Sequence, residues 1–456
     1  MSISVPGNIF RAYDIRGRVD NELTPNLVQS IGTAFANESL ERGTHEVVVA
    51  GDVRLSTEHL KDALALGLNE GGVNVVDIGT VPTPVLYFAV EHLRTGAGVV
   101  ITGSHNPPEF NGLKFVLDYV PFAGTDLKAL HAKIESSQLK LGSGTRRKIQ
   151  QLDAYIERIC SEIQLARPFR VGIDCGNGVT GLVAPRLFSE LGCEIHSLYA
   201  DPDGRFPNHH PDPVKADNLK DLIALVRDRD LELGVAFDGD GDRVGVVSGN
   251  GTIVPADSLM AYFASDILKT KPGAPIVFDV KCSSALSSSI ADLGGQPIMW
   301  KTGHTNIKEK IREQSAPLGG EYSGHICFAD RWYGFDDAMY TSARLIELLC
   351  KSQQDIDEFL DAMPLRCSTQ EIEIATTDDH KFEIIEKLQE IGHFPDAHVL
   401  AIDGLRVDFN DGWGLIRASN TTPNLTMRFE AANPSALERV QQVFKKELAK
   451  VAPELA

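Results

Sequence analysis

The chain has 456 residues, of which 43% are hydrophobic and 23% are charged, as is ordinary for a globular protein. Its 44 Lys and Arg residues against 63 Asp and Glu residues give a net charge of −19, which disfavours nucleic acids and anionic membranes as general partners. At about 100–200 residues per domain, the length allows about two to four domains.

The cysteine pattern and the N-terminus predict a cytoplasmic protein. The 7 cysteines are scattered and form no C-x-x-C pair, which is typical of free thiols in a reducing compartment. The first residues, MSISVPGNIFRAYDIRG, lack the basic and apolar regions of a secretory signal. No apolar run is long enough to span a bilayer, so we expect no membrane partner.

A pattern of strand, helix, strand and strand repeats faintly along the chain. Each copy starts with an apolar strand, has a second strand led by glycine, and ends in an unusual polar loop after its third strand. The copies begin at Val47, Val171 and Ile276. Their predicted helices have apolar stripes at Leu60, Leu64 and Leu68, at Leu182, Leu187 and Leu191, and at Leu286 and Ile290. Strands that alternate with helices indicate α/β units.

The C-terminal part has a different pattern. Strands are predicted from His398 and from Leu425, and a last helix begins at Asn433-Pro434, a good cap followed by proline at the first helical position. The two predicted helices have apolar stripes at Phe382, Ile385, Leu388 and Ile391, and at Leu437, Val440, Phe444 and Leu448. The fold class is therefore α/β, with three related domains over 1–150, 151–252 and 253–366, followed by an α+β domain over 367–456.

The loop TGSHNPPEFNGLK, from Thr102, follows the third strand of the first copy. Its glycines and its Pro107-Pro108 pair prevent a helix and hold a stiff turn. Ser104 comes just after the strand, with His105 beside it, so it is a candidate nucleophile or phosphate carrier. A capping serine in a tight turn is the alternative. The absence of a G-x-S-x-G pattern argues against a Ser-His-Asp hydrolase.

The loop DGDGDR directly follows the strand GVAF and alternates three carboxylates with two glycines. Such close carboxylates would repel one another, and a divalent cation with oxygen ligands removes that repulsion. An EF-hand is disfavoured, because Arg243 and Gly249 stand where that loop needs Gly and Glu. Mg²⁺ suits a loop with few protein ligands and a phosphate oxygen, so we predict that Asp238, Asp240 and Asp242 bind Mg²⁺. An Asx-rich surface turn is the alternative.

Two later loops carry groups suited to a phosphorylated sugar. The loop GGEYSGH offers Glu321 and Ser323, and a carboxylate beside a hydroxyl suits neighbouring sugar hydroxyls. The segment RASNTTPNLTMR, from Arg417, combines a guanidinium with hydroxyls and backbone N–H groups, which suits a phosphate. Taken singly, each is also explained by a polar loop or a Ser/Asn turn.

In combination and in this order, TGSHNP, DGDGDR, GEYSGH and RASNTTP resemble the α-D-phosphohexomutase family over essentially the whole chain. The G-E-x-S pattern around Tyr322 resembles its bacterial phosphomannomutase/phosphoglucomutase members rather than the glucosamine mutases. The resemblance implies four domains around a central cleft, the first three being related mixed-sheet α/β domains and the last a distinct α+β domain.

The resemblance also implies roles for individual residues. Ser104 would be phosphorylated, and its phosphate would bind Mg²⁺ together with Asp238, Asp240 and Asp242. The further residues implied at the catalytic centre are His105, Lys114, Arg243 and His325. Those implied in substrate binding are Tyr13, Arg16, Lys281, His304, Glu321, Ser323, Arg417, Ser419, Asn420 and Thr421.

The implied activity is a phosphohexomutase that interconverts hexose 1-phosphate and hexose 6-phosphate, of glucose, mannose or both, through phosphoserine and a hexose 1,6-bisphosphate. Mg²⁺ and hexose 1,6-bisphosphate would be its cofactors and hexose phosphates its partners, and it would be a monomer. Lys114, His325 and Arg16 are the candidates for the general base. Two alternatives stay open: a haloacid-dehalogenase-type sugar phosphatase with Asp238 as nucleophile, and a non-catalytic sugar-phosphate sensor.

Overall fold

The structure is a computed structural model that describes residues 5–136, 138–352, 354–364, 366–420 and 422–455. Thr421, predicted to bind substrate, lies outside these residues. The described residues form separate sheets of 7, 5, 4 and 6 strands in consecutive parts of the chain. Each sheet with its helices is called a domain and is numbered in chain order. In the described part of the chain, no helix has the length and the apolar character needed to cross a membrane.

The first domain is a mixed sheet covered by helices. Its strands are β1 (Ile15–Arg18), β2 (Glu46–Gly51), β3 (Asn74–Thr80), β4 (Gly98–Ile101), β5 (Phe110–Leu117), β6 (Val120–Pro121) and β7 (Arg146–Lys148). Its helices are α1 (Pro25–Glu41), α2 (Thr57–Glu70), α3 (Thr83–His92) and α4 (Thr125–Glu135). The sheet order is β1-β5-β4-β2-β3-β7, with β6 beside β5.

The second and third domains repeat this plan with fewer strands. The elements of the second are α5 (Leu152–Glu162), β8 (Phe169–Asp174), α6 (Ala184–Glu190), β9 (Cys193–Leu198), α7 (Lys220–Asp228), β10 (Leu233–Phe237), β11 (Val244–Ser248) and β12 (Ile253–Val254). Those of the third are α8 (Ala256–Thr270), β13 (Pro275–Asp279), α9 (Ser284–Asp292), β14 (Gln296–Trp300), α10 (His304–Gln314), β15 (Leu318–Gly320), β16 (Ile326–Phe328), α11 (Ala338–Lys351) and α12 (Ile356–Ala362).

The fourth domain is an antiparallel sheet with two longer helices. Its elements are β17 (Cys367–Ser368), β18 (Ile372–Ala375), α13 (Asp378–Ile391), β19 (His398–Leu400), β20 (Leu405–Phe409), β21 (Gly412–Ala418), β22 (Asn424–Ala431) and α14 (Pro434–Val451). The pairing is antiparallel throughout, in the order β17-β22-β21-β20-β19 with β18 beside β22. The predicted change from α/β to α+β is confirmed.

Sheet topology confirms the predicted repeat. The common orders are β5-β4-β2-β3, β11-β10-β8-β9 and β16-β15-β13-β14. In each, the first three strands in sequence are parallel and the fourth is antiparallel to the third. The loops that begin at Thr102, Asp238 and Glu321 therefore occupy one position three times: they join the third strand to its antiparallel neighbour.

Two predicted apolar stripes differ from the structure. Leu182 lies in a 3₁₀ turn and is 42% exposed, because α6 begins only at Ala184, where the following proline favours a helix start. In α13, Phe382 and Ile391 are 48% and 54% exposed, while Ile384 is buried in their place. The buried residues of α13 thus lie in its middle, whereas Phe382 near its start and Ile391 at its end face solvent.

The hydrophobic cores connect the first three domains. One cluster runs from α3 of the first domain, through the sheet of the second domain, to α8 and α11 of the third. The fourth domain has its own core, and a small cluster of Val280, Trp413 and Leu415 joins it to the third domain. The described parts of the first three domains thus form one packed body, against which the fourth domain lies.

The predicted N-cap of α14 gives a direct test of the fourth domain's stability. The Asn433 side chain accepts a hydrogen bond from the backbone N–H of Ala436 at 3.0 Å. Replacing Asn433 with Ala removes this acceptor and should lower the free energy of unfolding by about 1 kcal/mol in chemical denaturation. Asn433→Asp keeps a capping oxygen and is the control; equal losses in the two variants would contradict the assignment.

Candidate active site

The loops of the first and second domains meet at Ser104. The Ser104 hydroxyl donates a hydrogen bond to Asp238 Oδ2 at 2.9 Å, and the Nδ1 atom of His105 lies 3.1 Å from the same hydroxyl. Ser104 is buried and has a φ of 48°, a left-handed conformation that serine rarely adopts. The sequence predicted both loops, and the structure brings them together.

Asp238, Asp240 and Asp242 are buried and converge. One carboxylate oxygen from each lies within 4.8 Å of the others. The Oδ1 atom of Asp238 accepts hydrogen bonds from the backbone N–H groups of Gly241, Asp242 and Arg243 at 3.0–3.2 Å. The glycines allow this tight turn, because Gly241 has a φ of 81°.

A lysine from the first domain balances the charge of this cluster. Lys114, on β5, places Nζ 2.7 Å from Asp240 Oδ2 and 2.5 Å from Asp242 Oδ2. Burial alone would lower the pKa of Lys114, but the two carboxylates raise it well above its usual range. Burial and the neighbouring carboxylates raise the pKa of Asp238, whereas Lys114 and His325 hold that of Asp242 low despite burial. Lys114 is therefore a stable ammonium ion.

The donor set of the cluster fits Mg²⁺. Its ligands would all be carboxylate oxygens, which a small hard cation prefers. The Oδ1 atoms of Asp240 and Asp242 are buried, and among the described residues they have no hydrogen-bond partner. A phosphate on Ser104 would add oxygens beside them. The orphaned oxygens and the charge of the cluster suit a divalent ion.

His325 and His304 share a carboxylate. The Nδ1 atom of His325 lies 2.8 Å from Asp336 Oδ2, and that of His304 lies 3.2 Å from the same oxygen. The two rings stack with centroids 5.1 Å apart. Arg243 donates from Nε to His325 Nε2 at 2.9 Å. Burial lowers the pKa of His304 to about 4. The Nε2 atom of His325 is therefore the acceptor for Arg243, while its Nδ1 atom faces Asp336.

The predicted sugar-binding loop lies next to these histidines. Glu321 is buried, and its Oε1 atom accepts a hydrogen bond from the backbone N–H of Gly303 at 2.6 Å. Burial raises the pKa of Glu321. Ser323 follows two residues later and is half-buried. The loop thus presents a carboxylate and a hydroxyl beside His304, the first residue of α10.

The fourth domain reaches the first and third domains through the predicted phosphate-binding segment. Asn420 donates a hydrogen bond to the Tyr13 hydroxyl at 2.5 Å, and Tyr13 donates to the carbonyl oxygen of Thr302 at 2.6 Å. Burial raises the pKa of Tyr13. Ser419 is buried and accepts a hydrogen bond from the hydroxyl of Thr422 at 2.8 Å. The segment therefore joins the fourth domain to the first and third domains at Tyr13.

The remaining predicted cations are paired with carboxylates in this structure. Arg417 donates from Nε to Asp403 at 3.0 Å, and Lys281 Nζ lies 2.8 Å from Glu371. Arg16 donates to Asp14 at 2.7 Å and also bonds the side chain of Asn106. These pairs keep the cleft cations fixed and partly neutralised before an anion enters.

Sequence reasoning missed two residues that support the site. Asp336 orients both histidines, and Thr83, at the start of α3, donates to Asp240 Oδ2 at 2.6 Å. Each could have been suspected from its place, Asp336 in a polar segment after the third-domain loop and Thr83 after a buried strand. In neither case does the surrounding sequence indicate which residue it contacts.

The chain is similar to known proteins over all four domains. The models of the phosphoglucomutase/phosphomannomutase family match the chain in consecutive segments: α/β/α domain I over 7–140, domain II over 153–251, domain III over 255–366 and the C-terminal domain over 371–447. A phosphomannomutase/phosphoglucomutase of Pseudomonas aeruginosa is 49% identical over 445 residues, 98% of this chain and 96% of the relative.

Two further relatives agree with this match. A phosphoglucomutase of Neisseria gonorrhoeae is 44% identical over 448 residues, 97% of each chain. A crystal structure of a phosphoglucomutase/phosphomannomutase family protein from Burkholderia thailandensis is 45% identical, superposes with a TM-score of 0.94, and covers 99% of each chain. The similarity therefore extends over the whole architecture.

Gly239 gives a steric test of how closely the first two loops approach. A Cβ atom at this position would lie 2.4 Å from the backbone oxygen of Ser104. Gly239→Ala should therefore push the loops apart by about 1 Å, until the contact is near van der Waals distance. The measurement is the Ser104 Oγ to Asp238 Oδ2 distance in a crystal structure of the variant.

The control for this test is Gly7→Ala, where the nearest atom to the added Cβ would be 3.7 Å away. It should leave the Ser104–Asp238 distance at its native value. An unchanged distance in Gly239→Ala as well would mean that the loops are less closely packed than described.

Proposed function

The chain belongs to the phosphoglucomutase/phosphomannomutase family and is a hexose phosphate mutase, and we propose that it works through a phosphoryl group carried on Ser104. The observation that carries this proposal is the hydrogen bond between the Ser104 hydroxyl and the Asp238 carboxylate. It joins the TGSHNP loop to the predicted metal loop.

The proposed reaction has two balanced phosphoryl transfers. In the first, the bond from phosphorus to Ser104 Oγ breaks while a bond to the free 6-hydroxyl of a hexose 1-phosphate forms. The proton that leaves this hydroxyl is balanced by one taken up at Ser104 Oγ. The resulting hexose 1,6-bisphosphate turns round in the cleft and returns its other phosphate to Ser104, and hexose 6-phosphate leaves. Starting from hexose 6-phosphate gives the reverse reaction.

Among the three candidates for the general base, the contacts favour His325. Lys114 is a stable ammonium ion between Asp240 and Asp242, so it cannot take a proton. An arginine such as Arg16 is not deprotonated in proteins. The Nδ1 atom of His325 faces Asp336, and its Nε2 atom accepts a hydrogen bond from Arg243. Once Arg243 turns away from Nε2, for example to a phosphate oxygen, the lone pair there can accept the hydroxyl proton.

The charges around Ser104 suit phosphoryl transfer, which depends on positioning and on stabilising charge. Asp238, Asp240 and Asp242 would hold Mg²⁺ together with the phosphate on Ser104. When bound, Mg²⁺ supplies positive charge that offsets the charge on the transferring phosphoryl oxygens. Lys114 supplies further positive charge from the first domain.

The turn of the bisphosphate constrains how substrate is held. The phosphate of the substrate would bind at Arg417, Ser419 and Asn420 in either orientation, with Tyr13, Arg16, Lys281 and His304 completing the cleft. Glu321 and Ser323 would hold hydroxyls that occupy similar places before and after the turn, those on C3 and C4. Such contacts do not involve the hydroxyl on C2, at which glucose and mannose differ. We therefore propose that both glucose and mannose phosphates are substrates.

The phosphatase alternative is not favoured, because the chain matches the phosphoglucomutase/phosphomannomutase family in all four domains. A phosphatase with Asp238 as nucleophile would also leave the Ser104 hydroxyl, 2.9 Å from Asp238 Oδ2, without a role. The sensor alternative requires no general base, and it leaves the arrangement of His325 with Asp336 without a role.

We also propose the finer points that follow from family membership. Hexose 1,6-bisphosphate would activate the enzyme by phosphorylating Ser104, and the protein would act as a cytoplasmic monomer. The domain boundaries near residues 150, 252 and 366 stay a prediction.

The activity is tested by incubating the protein with glucose 1-phosphate or mannose 1-phosphate, with Mg²⁺ and a trace of glucose 1,6-bisphosphate. We expect both sugars to give the 6-phosphate, and we expect chelation of Mg²⁺ to stop the reaction. Conversion of glucose 1-phosphate but not mannose 1-phosphate would contradict the proposal that the hydroxyl on C2 is not recognised. Release of inorganic phosphate instead of a 6-phosphate would contradict the mutase reaction.

Ser104→Ala tests the carrier itself. Without the hydroxyl, turnover should fall on the order of 10³-fold or more, as for loss of a covalent nucleophile. Label from hexose 1,6-bisphosphate should appear on native Ser104, located by peptide mass spectrometry, and should survive mild hydroxylamine. Ser288→Ala, at an exposed serine of α9, is the control and should keep full activity. Wild-type turnover in Ser104→Ala would rule out the carrier.

His325→Gln tests the general base. The substitution removes the accepting ring nitrogen and should lower kcat by about 10²–10⁴-fold, with a much smaller change in KM, because the proton is moved in the transfer step. His196→Gln, at a half-exposed histidine of β9, is the matched control. A full rate in His325→Gln would assign the base to another group.

A further inference from the structure

The Ser104 loop is held only partly by its own backbone, through the hydrogen bonds from the Asn106 N–H to the Gly103 carbonyl oxygen at 2.9 Å and from the Phe110 N–H to that of Pro107 at 3.0 Å. Ser104 has a φ of 48°, and Pro107 and Pro108 have no N–H to donate. The loop must nevertheless hold the Ser104 hydroxyl 2.9 Å from a carboxylate of another domain. A strained conformation persists only when surrounding contacts fix it.

A buried arginine, Arg54, supplies four further contacts from outside the loop. Arg54 donates from Nη2 to the carbonyl oxygens of Ser104 and Asn106 at 2.7 and 2.6 Å. It donates from Nη1 to those of Pro107 and Phe110 at 2.6 and 3.0 Å. The guanidinium thus binds four carbonyl groups spread along the loop. A planar guanidinium has five N–H donors in fixed directions, whereas an ammonium has three on a flexible stem.

Asp52 and Gly103 complete the attachment. The Oδ2 atom of Asp52 lies 3.2 Å from Arg54 Nε and accepts a hydrogen bond from the Gly103 N–H at 3.1 Å. A Cβ atom at Gly103 would lie 2.5 Å from Arg54 Cζ. Only glycine lets the loop lie flat against the guanidinium, so Gly103 and Arg54 form one unit.

The same guanidinium also faces the second domain. Its Cζ atom lies 5.1 Å from the centroid of the Phe206 ring, and a Cβ at Gly204 would lie 2.4 Å from the backbone oxygen of Val53. Arg54 therefore lies between the Ser104 loop and a segment of the domain that carries the aspartate cluster. It couples the position of the serine to the position of the cluster.

We propose that Arg54 is a positioning residue for phosphoryl transfer, which holds Ser104 in register with Asp238 and takes no part in sugar binding. The proposal rests on the proposed role of Ser104 as the phosphoryl carrier. The hydrogen bonds of Arg54 go to the loop, whereas the proposed sugar and phosphate contacts of Glu321 and Arg417 come from the third and fourth domains. Loss of Arg54 should therefore slow the transfer and leave binding nearly unchanged.

The test is Arg54→Lys, which keeps the charge beside Asp52 but cannot reach four carbonyl groups. Phosphoenzyme is made with labelled glucose 1,6-bisphosphate and mixed rapidly with glucose 1-phosphate, and the loss of label is followed in a single turnover. We expect the rate constant to fall about 100-fold, since a misplacement of about 1 Å has that effect. The Kd of glucose 1-phosphate for the dephosphorylated protein, measured by calorimetry, should change less than about threefold, because sites that share no contacts affect each other little.

The matched control is Arg344→Lys, at a buried arginine bound to Asp330 by two hydrogen bonds of 2.9 Å and placed in α11. It should lower thermal stability without slowing the transfer. If both variants lose transfer rate equally, or if Arg54→Lys transfers at the native rate, the positioning role is wrong. If native protein takes up no label on Ser104, the proposed carrier fails instead, so the two failures are distinguishable.

Asp52→Asn provides a second variant should Arg54→Lys not fold. It removes the carboxylate beside Arg54 Nε, 3.2 Å away, and keeps the size of the side chain. The same pattern is expected, with a slower single turnover and an unchanged Kd. A native transfer rate in Asp52→Asn would contradict the proposal.

Discussion

The ion pairs of Lys114 with Asp240 and Asp242 are the interaction on which the site depends. Three buried carboxylates within 4.8 Å would repel one another strongly in the folded protein. The ammonium group offsets part of this repulsion, and because it belongs to the first domain it also ties that domain to the second. The same contact therefore keeps the aspartates together and brings the Ser104 loop to them. A bound divalent ion would add to this balance.

The threefold repeat explains why the serine, the aspartates and the glutamate lie on equivalent loops. In each of the first three domains, the functional loop joins the third strand to its antiparallel neighbour, so equivalent loops carry the serine, the aspartates and the glutamate. The shared core holds these domains as one body. The fourth domain has a separate core and reaches the cleft through Asn420 and Tyr13. The predicted phosphate-binding segment thus belongs to the domain that has its own core.

The sequence predicts the strands, the repeat and the main loops because these depend on local patterns. Apolar runs, glycine turns and Pro108 are visible in the chain, and so is the cap at Asn433. Contacts between distant side chains are not visible in this way. Arg54 follows a buried strand like many surface arginines, and only the fold shows that it binds the Ser104 loop. The prediction that Phe382 and Ile391 are buried was wrong for the same reason, because a periodic apolar stripe does not show which of its residues contact the sheet.

A crystal structure of the phosphorylated protein with Mn²⁺ in place of Mg²⁺, with anomalous scattering to locate the metal, directly tests whether the serine and the aspartates form one site. We expect phosphate on Ser104 and one metal peak bounded by Asp238, Asp240 and Asp242 and a phosphate oxygen. Phosphate on another residue, or a metal peak away from the three aspartates, would show that they do not.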